Sequence, residues 1–254
     1  MSRALVTGAA SGLGAATLER LQEAGWTVAG IDIQPVDATE VSIEADVSDE
    51  SAVRRAVAEA MERLGGLDAV VNAAGAVFDA TTPLEDVDVA TVRRTLEVNT
   101  VGAFLVARET LPALVASQGV IVLVASAVAR TPQSGVAAYA MAKAGVVSLM
   151  RSVALEYGRF GVRAVSVSPG YMDTAMARSV MERPTFRKAV EEGIPLGRVA
   201  EPAEVAALIA WLVSPEAGYL SGEDIVIDGA KSLTPYSSTQ DTARLWRSRE
   251  TRES

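Results

Sequence analysis

Ala4-Leu5-Val6-Thr7-Gly8-Ala9-Ala10-Ser11-Gly12-Leu13-Gly14 decides how the rest of the chain is read. Its first four residues have the composition of a short strand buried on both faces. Three glycines follow within seven positions, and a helical apolar pattern takes over from residue 13. Glycine permits a tight turn and lets the backbone approach a ligand closely. A helix that starts directly after such a turn offers free N–H groups and the positive end of its dipole, a combination that holds a pyrophosphate. Gly8, Ser11, Gly12, Leu13 and Gly14 are therefore candidate cofactor contacts. The spacing is GxxxGxG rather than GxGxxG, and no Gly-Lys-Ser/Thr follows, which argues against a P-loop.

Outward from this turn, β-like and helix-like segments alternate. Apolar runs at residues 4–7, 27–31, 69–72, 120–125, 162–167 and 225–227 predict strands, and the patterns at 13–24, 50–63, 101–115, 137–160 and 203–213 predict helices. Alternation of this kind implies right-handed crossovers and an α/β fold: a single Rossmann-type, doubly wound parallel sheet with helices on both faces. Nothing reads as a linker or repeat, so residues 1–230 are expected to form one dinucleotide-binding and catalytic domain. Residues 173–200, with Pro184 and Pro195, predict an irregular stretch with short helices. Residues 231–254 read as a polar C-terminal tail that is either a disordered end, as its composition argues, or folds back to dock Trp246 on its own or a neighbouring subunit, for which Tyr236, Leu245 and Trp246 are apolar anchors.

Composition narrows the chemistry. The 254 residues carry a net charge of −9 with no Lys/Arg block, a poor match to nucleic acid. No apolar run reaches the ~18 residues of a membrane span, and the opening lacks the basic and apolar regions of a signal peptide. A cytoplasmic protein without a membrane partner is the expectation. The chain has neither Cys nor His. That excludes disulfides, a thiol nucleophile, a Ser-His-Asp triad and zinc held by nitrogen or sulfur. Proton chemistry near neutral pH falls to Tyr, Lys, Asp or Glu.

The second strand ends at Asp32. A carboxylate there accepts hydrogen bonds from the adenosine ribose and repels the extra phosphate of NADP. Neither Ser11 nor Ile33 supplies a compensating cation, so NAD is the expected cofactor.

Tyr139-Ala140-Met141-Ala142-Lys143 places a phenol and an ammonium four residues apart on a predicted helix, hence on one face. Ser126 closes the preceding strand thirteen positions before Tyr139, and Asn99 falls in an earlier helical region. Asn72-Ala73-Ala74-Gly75 ends one strand and Pro169-Gly170 another. This set, in this order, resembles the classical short-chain dehydrogenases/reductases, and the resemblance spans residues 4–229. It implies hydride transfer between a nicotinamide cofactor and an alcohol or ketone, with Tyr139 as acid/base. It assigns Ser126 to the substrate oxygen, Lys143 to Tyr139 and the nicotinamide ribose, and Asn99 to a water linking Lys143 to solvent. It also implies cofactor contacts at Asp46, Val47, Asn72, Gly75, Pro169, Gly170, Met172 and Thr174, and a homotetramer built on the helix that begins at Ala137.

The physics of the pair suits the reaction. A free phenol titrates near ~10 and is a poor base at neutral pH. Two charges about 4 Å apart interact by roughly 4 kcal/mol at an effective dielectric of about 20. Lys143, helped by a positive nicotinamide ring, is therefore expected to bring Tyr139 toward neutrality.

The link from Asp32 to Asp46 is short, and Pro35 with Asp37 argues against a helix there. Members that oxidise cyclic dihydrodiols, such as dihydro-dihydroxybenzoate dehydrogenases, are similarly short. Met172, Met176 and Met181 are either an adaptable apolar wall for substrate or ordinary packing. Two other functions share part of this pattern. A regulator that senses NAD would need the glycine turn but not Tyr139 and Lys143. A methyltransferase would use the turn and the acidic residue but not Ser126.

Overall fold

Consecutive Val and Ile favour extended backbone, where branched side chains pack on both faces of a sheet. In the computed structural model, which describes residues 2–80, 82–174 and 181–233, seven strands form. They are β1 (Arg3–Thr7), β2 (Thr27–Asp32), β3 (Val41–Glu44), β4 (Ala69–Asn72), β5 (Val120–Val124), β6 (Arg163–Pro169) and β7 (Asp224–Ile227). All pair in parallel, in the order β3-β2-β1-β4-β5-β6-β7. The chain winds outward in one direction from β1 and in the other from β4. Thr7 lies opposite Ile31 on one side and Asn72 on the other, so the carboxyl ends of β1, β2 and β4 open together at this switch point.

The described helices are α1 (Gly12–Glu23), α2 (Glu50–Leu64), α3 (Val89–Leu96), α4 (Gly102–Ser117), α5 (Ala137–Tyr157), α6 (Pro184–Glu192) and α7 (Pro202–Val213). Alternate strand residues face opposite layers. Ala4 and Val6 pack with Leu18 and Leu21 of α1 and Ile209 and Leu212 of α7. Leu5 instead joins Val53 and Val57 of α2, Val106 and Leu114 of α4, and Val146 and Met150 of α5. Both faces are therefore covered, as the doubly wound reading expects.

Differences from the sequence reading have local causes. The helix expected at 101–115 begins at Val89, with α3 and α4 joined through a single π-turn, Glu97–Val101. Only Thr95 of α3 is buried, so α3 carries no apolar stripe to announce it. The continuous Val89–Ser117 helix is long and apolar enough to cross a membrane by length and composition. Its Ala103, Val106, Ala107, Leu111 and Leu114 are nevertheless buried in the core beside the sheet. Residues 33–40 carry no helix, as Pro35 suggests. Within 173–200, α6 packs a small apolar cluster of Met181, Val190, Ile194 and Val199. Residues 231–233 form a short turn, where the Ser232 N–H donates to Asp228 at 2.7 Å. Tyr236, Leu245 and Trp246 lie outside the described residues.

Candidate active site

The glycine turn is compact because side chains would not fit. Gly8 has φ +69°, and a Cβ on it would stand 2.8 Å from Ala74 N. A Cβ on Gly14 would fall 1.9 Å from Gly8 O. The turn thus folds on itself and against the loop after β4. Thr7 closes this junction: its buried hydroxyl donates to Asn72 Oδ1 at 2.8 Å and accepts the Ala74 N–H at 3.2 Å. Thr7 has no counterpart in the sequence reading, although its place between the first strand and the first glycine was a usable signal. Asn72 is 2% exposed, so its side chain holds the loop and does not open toward solvent.

Asp32 accepts the Ala10 N–H at 3.0 Å and the Gln34 N–H at 3.2 Å. Its carboxylate is thereby fixed at the rim of the turn. Ile33 beside it is largely exposed. Asp46 accepts the Ser48 N–H and hydroxyl, at 2.9 and 2.7 Å, in a turn before α2. Val47 is buried and packs where a Cβ on Gly102 would meet its side chain at 3.0 Å. Thr174 reaches the turn from the segment after β6, its Cγ2 3.5 Å from the place a Gly12 Cβ would occupy. Pro169 ends β6, and a Cβ on Gly170 would meet Asp228 Cβ at 2.7 Å. Met172 bridges to Ala200 and packs against the sheet, while Met181 is buried in the cluster on α6. Met181 is thus ordinary packing, and Met176 lies outside the described residues. Gly8, Ser11, Gly12, Leu13, Gly14 and Thr174 form one cradle. Asp32 stands beside it.

The second group forms where β5 ends. Ser126 is extended, at φ −166° and ψ 151°, and caps a short turn over Ala127–Ala129. Its hydroxyl faces the Tyr139 phenol closely enough to lower the phenol's pKa. Lys143 lies one turn along α5, with Nζ 5.7 Å from the Tyr139 ring centroid. It is 3% exposed, and Nζ donates to Val124 O at 2.9 Å. Asn99 occupies the π-turn and is fully buried. Its Nδ2 donates to Ala76 O at 2.8 Å and Thr95 O at 2.9 Å, while its Oδ1 accepts the Ala76 N–H at 3.2 Å. A Cβ on Gly75 would stand 2.7 Å from Asn99 Oδ1 and 3.1 Å from Lys143 Nζ, so three predicted residues converge there.

In the chain by itself, burial dominates the protonation of this group. Burial pushes the Tyr139 phenol up to about 12, against a smaller downward pull from the Ser126 hydroxyl. Burial also pushes Lys143 down to about 8. In the chain alone, desolvation therefore outweighs the attraction from Lys143, which leaves the remainder of the expected lowering to the positive nicotinamide ring. Lys143 bonds a backbone carbonyl, and no direct bond to the phenol forms.

A contact missed in the sequence completes the site. Tyr171 donates its phenolic hydrogen to Gln133 Oε1 at 2.8 Å, joining the segment after Pro169-Gly170 to the stretch between Ser126 and Tyr139. Burial raises the Tyr171 pKa. Its position directly after Pro169-Gly170 was the available signal.

Residues 8–230 match a family model described as enoyl-(acyl carrier protein) reductase. The chain is 39% identical over 243 residues to the 2,3-dihydro-2,3-dihydroxybenzoate dehydrogenase of Escherichia coli, covering 90% of this chain and 96% of that one. A short-chain type dehydrogenase/reductase from Mycobacterium marinum superposes with a TM-score of 0.85 at 31% identity, over 92% of this chain and 96% of the other. The 3-ketoacyl-(acyl-carrier-protein) reductase of Brucella melitensis, complexed with NADH, superposes at 0.83 with 30% identity, over 91% and 98%.

Proposed function

The chain belongs to the short-chain dehydrogenase/reductase family, and from that premise we propose that it is an NAD(H)-dependent oxidoreductase interconverting a secondary alcohol and a ketone. The observation that carries this reading is Tyr139 with Lys143 buried one turn along the same helix, Nζ 5.7 Å from the phenol ring centroid, and the Ser126 hydroxyl near enough to lower the phenol's pKa. The cradle of Gly8, Gly12 and Gly14 fits a dinucleotide, because its tightest points leave no room for Cβ atoms. Asp32, beside exposed Ile33 and with no cation adjacent in sequence, favours NAD over NADP. The NADH bound by the Brucella melitensis reductase supports the same choice.

A nicotinamide bound in this cradle supplies the hydride donor or acceptor. The chain's own residues handle the proton and the oxygen. In alcohol oxidation Tyr139 takes the hydroxyl proton; in ketone reduction it returns one. Ser126 donates to the substrate oxygen and stabilises charge developing there. Lys143, charged below about 8, favours the phenolate by its proximity. Asn99 has its amide committed to Ala76 and Thr95, so a water relay at this position falls to its main-chain carbonyl.

The same reading makes the protein a cytoplasmic homotetramer. Leu155 and Phe160, at the end of α5 and just beyond it, and Phe104 on α4 are exposed apolar side chains that suit subunit contact. The similarity to the dihydrodihydroxybenzoate dehydrogenase, with the helix-free 33–40 link, favours a cyclic vicinal diol as one substrate class. A screen of alcohols, ketones and carboxylated cyclohexadiene diols with NAD(H), read at the nicotinamide absorbance, tests the proposal. S-adenosylmethionine binding without NADH binding would point to a methyltransferase. NADH binding with no turnover, unaffected by Tyr139→Phe, would point to a sensor.

A further inference from the structure

Tyr139 is the third residue of α5. The first turn of a helix is its weakest part, since its N–H groups lack partners within the helix. Val136 precedes α5 and supplies no side-chain cap. A carboxylate from a distant part of the chain takes its place. Asp79 Oδ2 accepts the Ala138 N–H at 3.0 Å, across 59 residues of sequence. Ala138 is the covalent neighbour of Tyr139.

Asp79 sits on the loop after β4, and that loop is fastened at both ends. Its Ala76 is held through N–H and C=O by Asn99. The Arg94 guanidinium lies 4.5 Å over the Phe78 ring. At the other end the Thr82 N–H donates to Gly135 O at 3.3 Å. Asp79 itself is 2% exposed. Burying a carboxylate is unfavourable unless it is hydrogen-bonded, and Oδ1 has no partner among the described residues. The Ala138 N–H is thus the one described side-chain bond that compensates this burial. It lies at the positive end of the α5 dipole.

We propose that Asp79 is a positioning residue for Tyr139, holding the first turn of α5 through the Ala138 N–H while its loop ties that turn to Asn99. This rests on the assignment of Tyr139 as acid/base. The test uses the full-length chain with Asp79→Ala and Asp79→Asn. The Ala variant lowers kcat tenfold or more, leaves NADH affinity within twofold, and speeds amide exchange at residues 138–142 about tenfold. The Asn variant still presents an oxygen acceptor, as good a cap as Asp, and keeps kcat and exchange within about threefold of wild type. Wild-type kcat and exchange in Asp79→Ala overturn the proposal, as does an Asn variant that falls as far as the Ala variant. If Asp79→Ala is insoluble, Asp79→Ser, too short to reach Ala138, replaces it with the same expectations. Should the wild type turn over no alcohol or ketone, the reaction assignment fails by itself. The exchange rates then decide the role of Asp79 separately.

Discussion

The proposed cofactor cradle and the proposed catalytic group meet at the carboxyl ends of the strands but are built by different means. The cradle is mostly backbone: Gly8 lies against Ala74, Gly14 against Gly8, and Asp32 is pinned by two backbone N–H groups. Its residues are close in sequence, apart from the returning Thr174. The catalytic group is mostly side chain, drawn from a π-turn, a strand end and a helix. It buries an ammonium on a main-chain carbonyl and a carboxamide on the loop after β4 and the last turn of α3. Damage to the cradle should therefore appear as lost binding. Damage to the catalytic group should appear as lost turnover with binding retained.

Tyr139→Phe gives the largest expected effect, a fall in kcat of a thousandfold or more with NADH still bound. The ring remains and only the transferable proton is gone, so residual activity above a tenth of wild type contradicts the assignment. Gly14→Ala is the counterpart on the other side. The added Cβ meets a backbone carbonyl that cannot yield, and NADH binding measured by fluorescence should drop beyond detection even in protein that stays folded.

Asp32→Ala with Ile33→Arg should weaken NAD roughly ten- to a hundredfold, the equivalent of about 1.5–3 kcal/mol for a charged hydrogen bond. Preference should move toward NADP. A wild type that already prefers NADP would remove the ribose argument.

Protonation couples the two regions. With burial raising Tyr139 to about 12 in the chain alone, alcohol oxidation at neutral pH is expected to depend on a bound positive nicotinamide ring that pulls it down. A group whose pKa falls through the working pH gives up its proton. Oxidised cofactor should therefore release up to about one proton per subunit at pH 8.5, measurable in weak buffer, and Tyr139→Phe should abolish that release. Equal release by wild type and variant would locate the titration elsewhere.

The smallest expected effect is on stability. Lys143 is held near 8 by burial, so its charged form disfavours folding below that pH, and stability should rise as pH climbs from about 8 toward the unfolded value near ~10.4. Lys143→Met relieves roughly 3 kcal/mol of this penalty and loses a charged hydrogen bond of about 1.5–3 kcal/mol to Val124. The two nearly cancel. Denaturant midpoints for Lys143→Met should lie within about 1 kcal/mol of wild type although turnover is lost, and a large destabilisation would mean the ammonium stabilises the fold.

What the sequence determined by itself is local or periodic. The parallel sheet was legible because β-branched runs alternate with helical patterns, and the glycine turn because strand, glycines and helix are contiguous. Tyr139 and Lys143 were legible because four residues of helix bring them to one face. Tertiary structure alone decided the rest. Thr7 with Asn72, Tyr171 with Gln133, and Asp79 with Ala138 are single hydrogen bonds across 65, 38 and 59 residues, and no periodicity encodes such pairs. The protonation of Tyr139 and Lys143 belongs to the same class. Sequence spacing supplies the proximity of two charges, but desolvation depends on how completely the surrounding elements close over them, and here closure governs.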